Sequence, residues 1–195
     1  MGRTATIARA TKETDVTVTL DLDGGATTSV STGVPFFDHM LEALGRHGLL
    51  GLAVSATGDL AVDAHHTVED VGICIGQAIA EALGDKAGIR RFGSAIVPMD
   101  EALVLAAVDV SGRGQLRYDV PVPIELIGTF DTTLAKEFMV ALATNAGITF
   151  HVRALAGENA HHIIEAAFKA LARALREACE LDPRVSGVPS TKGRL

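Results

Sequence analysis

Tryptophan is absent from this 195-residue chain, tyrosine occurs once, and aromatic residues make up only 4% of it. A core built on large rings is therefore excluded, and Ala, Val, Ile and Leu must fill it instead. Cysteine occurs only twice, as Cys74 and Cys179, far apart in apolar, helix-like segments. One disulfide is the most they can form; two buried free thiols in a reducing compartment is the expected state. No apolar run approaches the roughly 18 residues of a membrane span, and the segment 1–12 lacks the apolar centre of a secretory signal. Positive charge is also short: Lys and Arg number 17 against 24 Asp and Glu, a net charge of −7 at pH 7. That sign argues against a general nucleic-acid binder, which meets phosphate with a basic surface. It leaves room for a small anionic substrate held by a few local Arg and Lys. Apolar residues are what the chain has in quantity. With 48% hydrophobic and 21% charged residues, it has the balance of a globular protein long enough to bury a substantial core.

Short strands alternate with helices, and the order occurs twice. Val16, Val18, Leu20 and Leu22 alternate with polar residues, the period of a half-buried strand. Asp23-Gly24-Gly25 is a tight-turn signal, and the polar-apolar run that follows to Gly33 predicts a hairpin. Pro35 opens a helix with Phe36, Met40, Leu41 and Leu44 at helical spacing, ended by Gly48. A strand is expected over 50–63 and a helix over 66–83. The second half gives strands over 102–110 and 115–120, a helix over 134–146, a strand over 148–155 and a helix over 160–180. Each half thus reads strand, strand, helix, strand, helix, with 1–90 as the first half-repeat and 91–195 as the second. The final helices match without a gap: DAHHTVEDVG against NAHHIIEAAF. Upstream, His39 lies 26 residues before its His pair and Glu137 lies 24 before its own. Such self-similarity is the mark of an internal duplication.

The repeated His-His-x-x-Glu carries the chemistry. At about 100° per residue, His65 at 0° and His66 at about 100° flank Glu69 at about 40°, so all three project from one arc of a helix. His161, His162 and Glu165 repeat that arc. Neighbouring imidazoles that diverge in this way suit two metal ions better than one. A single copy of so short a motif fits solvated histidines as well as metal ligands. Two copies in register, holding four of the chain's seven histidines, favour metal. Imidazole with carboxylate suits Mn, Fe, Co, Ni or Zn better than Ca or Mg. His47, near a helix end, favours the helix dipole when protonated. His151, alternating with Phe150 and Val152 on a strand, is expected to face solvent or a neighbour.

GVPFFDHML (33–41), DAHHTVED (63–70), RRFG (90–93), PMDEAL (98–103), DVSGRG (109–114), NAHHIIEAAFKALARAL (159–175) and GVPSTKG (187–193), in this order, resemble the imidazoleglycerol-phosphate dehydratase family. The match covers nearly the whole chain and points to the stand-alone enzyme of histidine biosynthesis, without a fused phosphatase. The resemblance implies a duplicated α+β fold, like that of ribosomal protein S5 domain 2, with four helices packed between two four-stranded sheets. It implies a homo-oligomer of 24 subunits with shared active sites, in the cytoplasm. It also implies dehydration of imidazole glycerol phosphate to imidazole acetol phosphate with two Mn²⁺ per active site. His39, His66, His161 and Glu165 would hold one ion, and His65, Glu69 and His162 the other. Many family members carry His at the position of Glu137; a glutamate oxygen is a competent eighth ligand there. With both imidazole nitrogens on metal, the substrate ring becomes an imidazolate whose electron density helps expel the hydroxyl, the ions acting as Lewis acids and template.

The family's acid–base residue corresponds to Glu13, which taken alone is an exposed glutamate near a first strand. Arg91, Arg113, Ser190 and Lys192 match positions that bind the substrate phosphate, where Arg gives paired N–H donors and Lys a point charge. His47 joins the substrate-binding set. The tail, a frayed terminus by itself, becomes a site-closing segment. The same ligands would also serve a two-metal hydrolase of a phosphorylated small molecule or a metal-storage protein. The ordered motifs speak against the first and the phosphate-binding set against the second. Affinity order does not favour Mn over Zn or Cu, so the sequence leaves the native ion open. It also leaves open which group protonates the departing hydroxyl.

Overall fold

Residues 2–195 are described by a computed structural model. In the first half, β1 (Thr4–Ala10), β2 (Thr14–Asp21) and β3 (Thr28–Ser31) precede α1 (Pro35–Gly48), β4 (Gly51–Gly58) and α2 (His65–Leu83). The second half repeats this as β5 (Phe92–Met99), β6 (Ala102–Asp109), β7 (Gln115–Asp119), α3 (Leu134–Ala146), β10 (Thr149–Ala156) and α4 (Ala160–Cys179). It adds a small hairpin ahead of α3, β8 (Leu126–Ile127) with β9 (Phe130–Asp131). Each half thus carries a leading strand, β1 or β5, beyond the strand, strand, helix, strand, helix order read from the sequence. With it, each sheet has four strands, in the matching orders β1-β2-β4-β3 and β5-β6-β10-β7.

The hairpin expected around Asp23-Gly24-Gly25 does not form. The chain does turn there, with Gly24 N–H donating to the Asp21 carbonyl at 3.3 Å. But β3 pairs in parallel with β4, which lies between it and β2. A parallel pair needs a crossover, and α1 supplies it. β7 pairs with β10 in the same way, across α3. The strand expected over 50–63 stops at Gly58, which leaves Asp59 in a turn before α2.

Alternation fixes which face of each sheet is buried. Val16, Val18 and Leu20 of β2 are fully buried while the residues between them are exposed; in β6 of the other sheet, Val104 and Ala106 are fully buried and alternate with half-buried residues. Four helices fill the space between. α2 lies on β1 and β2, α4 lies on β5 and β6, and the halves interlock through α1 against α4 and α2 against α3. The α2–α3 crossing is tight because Gly72 and Gly76 face Phe138, Leu142 and Asn145 of α3. Large rings are not excluded from the core after all: Phe37, Phe138 and Phe168 are fully buried in this layer, Phe150 of β10 is buried as well, and Ala, Val, Ile and Leu fill the space around them. Among the described residues, no helix is long and apolar enough to cross a membrane. Both cysteines are buried and free.

Candidate metal centre

The two His pairs sit at matching places, the first turns of α2 and α4. In each case the polar residue two positions before the first His holds the turn. Asp63 Oδ1 accepts from His65 N at 2.8 Å, and Asn159 Oδ1 accepts from His161 N at 2.9 Å and His162 N at 3.3 Å. Asn159 thereby caps α4 and satisfies two of its unpaired N–H groups, whereas Asp63 lies one residue ahead of the α2 N-cap, Ala64, and closes a turn onto the helix's first N–H. The imidazoles then diverge as the helical period requires. Ring centroids are 6.1 Å apart and 82° out of plane for His65 and His66, and 6.0 Å and 79° for His161 and His162.

One cluster closes within the chain. His39 on α1 and His161 on α4 both direct Nε2 at Glu165 Oε2, at 3.3 and 3.0 Å. One ligand atom from each of the three lies within 4.8 Å of the others, and no other such group of three occurs among the described residues. Two imidazole nitrogens and a carboxylate oxygen match the donor set of a first-row divalent ion. Phe36 packs its ring edge-on to His161, 5.0 Å between centroids, which limits the imidazole's rotation. Glu165 is buried, and burial alone would raise its pKa. Lys169 Nζ at 2.7 Å, one helical turn on, with His39 and His161, more than offsets that and lowers it.

The second histidine of each pair takes a carboxylate on its other nitrogen. His66 Nδ1 lies 3.0 Å from Asp59 Oδ2 and 3.9 Å from Glu13 Oε2. His162 Nδ1 lies 2.7 Å from Glu101 Oε2 and its Nε2 3.7 Å from Asp100. These carboxylates, Asp59 and Glu101 first, raise both imidazole pKa values, and the bond from His162 holds the Glu101 carboxyl at about 2.

The remaining predicted residues are spread over the surface of the single chain. His66 is not in the His39 cluster, although the resemblance grouped them. His65 lines a cavity with Leu60, Leu126 and Leu134, Glu69 is exposed on α2, and Glu137 lines a separate cavity beside Tyr118 and Lys136. Arg91 and Arg113 converge on Asp109. Arg91 Nε bonds Oδ1 at 2.8 Å, and Arg113 Nη2 is 3.9 Å from Oδ2. Arg91 Nη1 also donates to the Pro189 carbonyl at 2.9 Å, which ties the tail carrying Ser190 and Lys192 to this cluster. His47 lines a cavity with His39, Glu165 and Lys169. Burial first, then Lys169 and Arg173, lower its pKa, so the protonated helix-end role expected from its position is disfavoured. His151 is exposed on β10, as its alternation with buried Phe150 and Val152 implied.

Sequence reading missed Lys169, Asp59 and Glu101. Lys169 was open to discovery, since i,i+4 pairing with Glu165 follows from the helix alone. Asp59 and Glu101 sit in turns whose partners are set by tertiary packing; no local pattern marks Asp59, and although Glu101 falls within the PMDEAL motif, nothing local names His162 as its partner.

A duplicated α+β frame with paired His-His-x-x-Glu helices and a His/His/Glu cluster that could hold a metal ion defines the class of protein. Comparison with known proteins narrows it. The model of the imidazoleglycerol-phosphate dehydratase family matches residues 32–175. The enzyme of that name from Acidiphilium cryptum is 61% identical over 196 residues, covering 100% of both chains, and that of Moorella thermoacetica is 58% identical over the full length of both. The crystal structure of the Staphylococcus aureus enzyme superposes with a TM-score of 0.84 at 38% identity, covering 92% of this chain and 99% of its own. The Pyrococcus furiosus enzyme, in complex with (S)-C348, gives 0.84 at 42% identity, covering 97% and 100%. The chain belongs to the imidazoleglycerol-phosphate dehydratase family, a family of hydro-lyases.

Proposed function

We propose that this chain dehydrates imidazole glycerol phosphate to imidazole acetol phosphate in histidine biosynthesis, in the cytoplasm, at a centre of two Mn²⁺ ions. The observation that carries the metal part is the convergence of His39 and His161 on Glu165, all within 4.8 Å. In this reading His39, His66, His161 and Glu165 serve one ion, and His65, Glu69, His162 and Glu137 the other. Ions held by these residues would supply Lewis acidity, which would make the substrate's imidazole ring a better electron source for hydroxyl departure.

The chain's own residues do the rest. A hydroxyl leaves one side-chain carbon and a proton leaves its neighbour, so the product is first an enol and then, by proton return, the ketone. Glu13, exposed and 3.9 Å from His66, is the carboxylate assigned to move that proton. Arg91, Arg113, Ser190 and Lys192 bind the phosphate in this reading, and His47, which lines the cavity beside Glu165, joins the substrate-binding set. Arg91 gives up some of its bonding to Asp109 or Pro189 to do so.

The separation of these groups in one chain supports a site shared between subunits. The cavities beside Glu165 and His65 contain none of the phosphate-binding residues. A homo-oligomer, of 24 subunits in this reading, would bring the clusters together. The half-repeat division 1–90 and 91–195 belongs to the same proposal, with the tail closing the site.

The test is turnover of imidazole glycerol phosphate by metal-stripped protein before and after Mn²⁺ is added. Activity restored at about two ions per subunit supports substrate, metal and site together. Absence of turnover with every first-row divalent ion, alongside hydrolysis of simple phosphoesters, would overturn the dehydratase reading in favour of a hydrolase.

A further inference from the structure

We propose that Asp59 and Glu101 are positioning residues. Each accepts the Nδ1–H of a histidine, His66 or His162, and so fixes the tautomer whose Nε2 lone pair is free for metal. A neutral imidazole carries one proton, and whichever nitrogen donates to a carboxylate leaves the other as the ligand. At His66 both Asp59 oxygens lie in reach of Nδ1, at 3.0 and 3.3 Å. At His162 the Glu101 Oε2 contact is 2.7 Å. Glu101 is itself anchored, because its Oε1 accepts from Asn159 N at 2.9 Å and Glu158 N at 3.3 Å. The turn between β5 and β6 is thereby fastened to the start of α4, and the imidazole orientation with it.

Duplication alone does not produce this pattern. His66 and His162 occupy equivalent places in the two halves, but their carboxylates do not. Asp59 follows β4, whereas Glu101 directly precedes β6. The first-half residue in Glu101's place, directly before β2, is Glu13. It lies 3.9 Å from His66 Nδ1 and stays 55% exposed. Asp59 therefore takes over in the first half the task that Glu101 performs in the second, and Glu13 is left free of it. The two halves reach the same hydrogen bond by different routes, and the difference releases one carboxylate for substrate.

The inference rests on the metal-centre reading, and two measurements on the full chain separate them. Imidazole ¹⁵N shifts of stripped wild-type protein, in alkaline buffer where the rings are neutral, should show the Nδ1–H form at His66 and His162, assigned with His66→Gln and His162→Gln. An Nε2–H form at either residue overturns the inference, whatever the variants do. Mn²⁺ uptake should then weaken about 10- to 100-fold in Asp59→Asn and in Glu101→Gln, with Asp59→Glu recovering part of the loss. Normal uptake by wild type with unchanged uptake by both variants overturns the inference alone. A wild-type chain that takes up no Mn²⁺, Co²⁺ or Zn²⁺ overturns the metal-centre reading and this inference with it.

Discussion

Glu165 keeps its charge at 8% side-chain exposure because Lys169, at 20%, and two imidazoles surround it. Removing one side of such a pair leaves the other without a partner, which costs about 3–5 kcal/mol when both are fully buried. Lys169 retains some solvent, so Glu165→Gln should cost the stripped protein about 2 kcal/mol, seen as a lower urea midpoint at unchanged slope. An unchanged midpoint would show that the ammonium rehydrates freely. The pH dependence has a definite sign. The folded-state pKa is lowered from 4.5, so the charge contributes stability above that value and loses it as pH falls through the folded-state pKa. Wild type should therefore lose more stability than Glu165→Gln on acidification through this range. The thiols make an opposite case, since burial raises Cys74 to about 11 and Cys179 to about 12. Neither should be alkylated by iodoacetamide in the native state, and both should be in urea, as read by mass. At this scale the sequence was most legible where chemistry repeats with the helical period, as at His161, His162 and Glu165. It was opaque at Asp59 and Glu101, whose role comes from where a turn lands.

Between elements, backbone proximity decides more than side-chain identity. Gly76→Ala should gain about 1 kcal/mol of helix propensity in α2. Its new Cβ would meet the Leu142 carbonyl oxygen at 2.8 Å and Ala146 N at 3.0 Å, both backbone atoms of α3. Overpacking against atoms that cannot rotate away costs about 1–3 kcal/mol. The net expectation is a loss of about 1 kcal/mol, measured by denaturant unfolding; a more stable variant would mean that α2 and α3 slide apart without penalty. The elements hardest to read were the edge strands. β5 contains Gly93 and Pro98, residues that weaken a strand assignment, and β1 has only Ala5 fully buried. Gly93 belongs where it is because a Cβ there would lie 2.0 Å from the Ala174 carbonyl oxygen of α4. The turn after β2 was legible, but its pairing was not. A local turn signal says that the chain reverses, while the choice of β4 as neighbour is made by the α1 crossover.

At the level of the whole molecule, the halves are one folding unit, because each contributes a helix to the other's packing through α1–α4 and α2–α3. The His39 cluster spans that join, taking one ligand from α1 and two from α4. A metal held there therefore ties the first half to the second. Ligand bound only by the folded form stabilises it by about 2.7 kcal/mol at a hundredfold excess over Kd. For a chain of this length that is about 5–10 °C in Tm. Mn²⁺ should raise the melting temperature of stripped protein by that amount, and His161→Ala should abolish most of the rise. If the remaining ligands complete their sites with a second chain, the rise should also grow with protein concentration, because folding, assembly and metal uptake are then linked equilibria. A rise that is independent of protein concentration would locate the tight binding in the His39, His161 and Glu165 cluster of the single chain. The shared-site reading would then have to rest on the phosphate-binding residues alone.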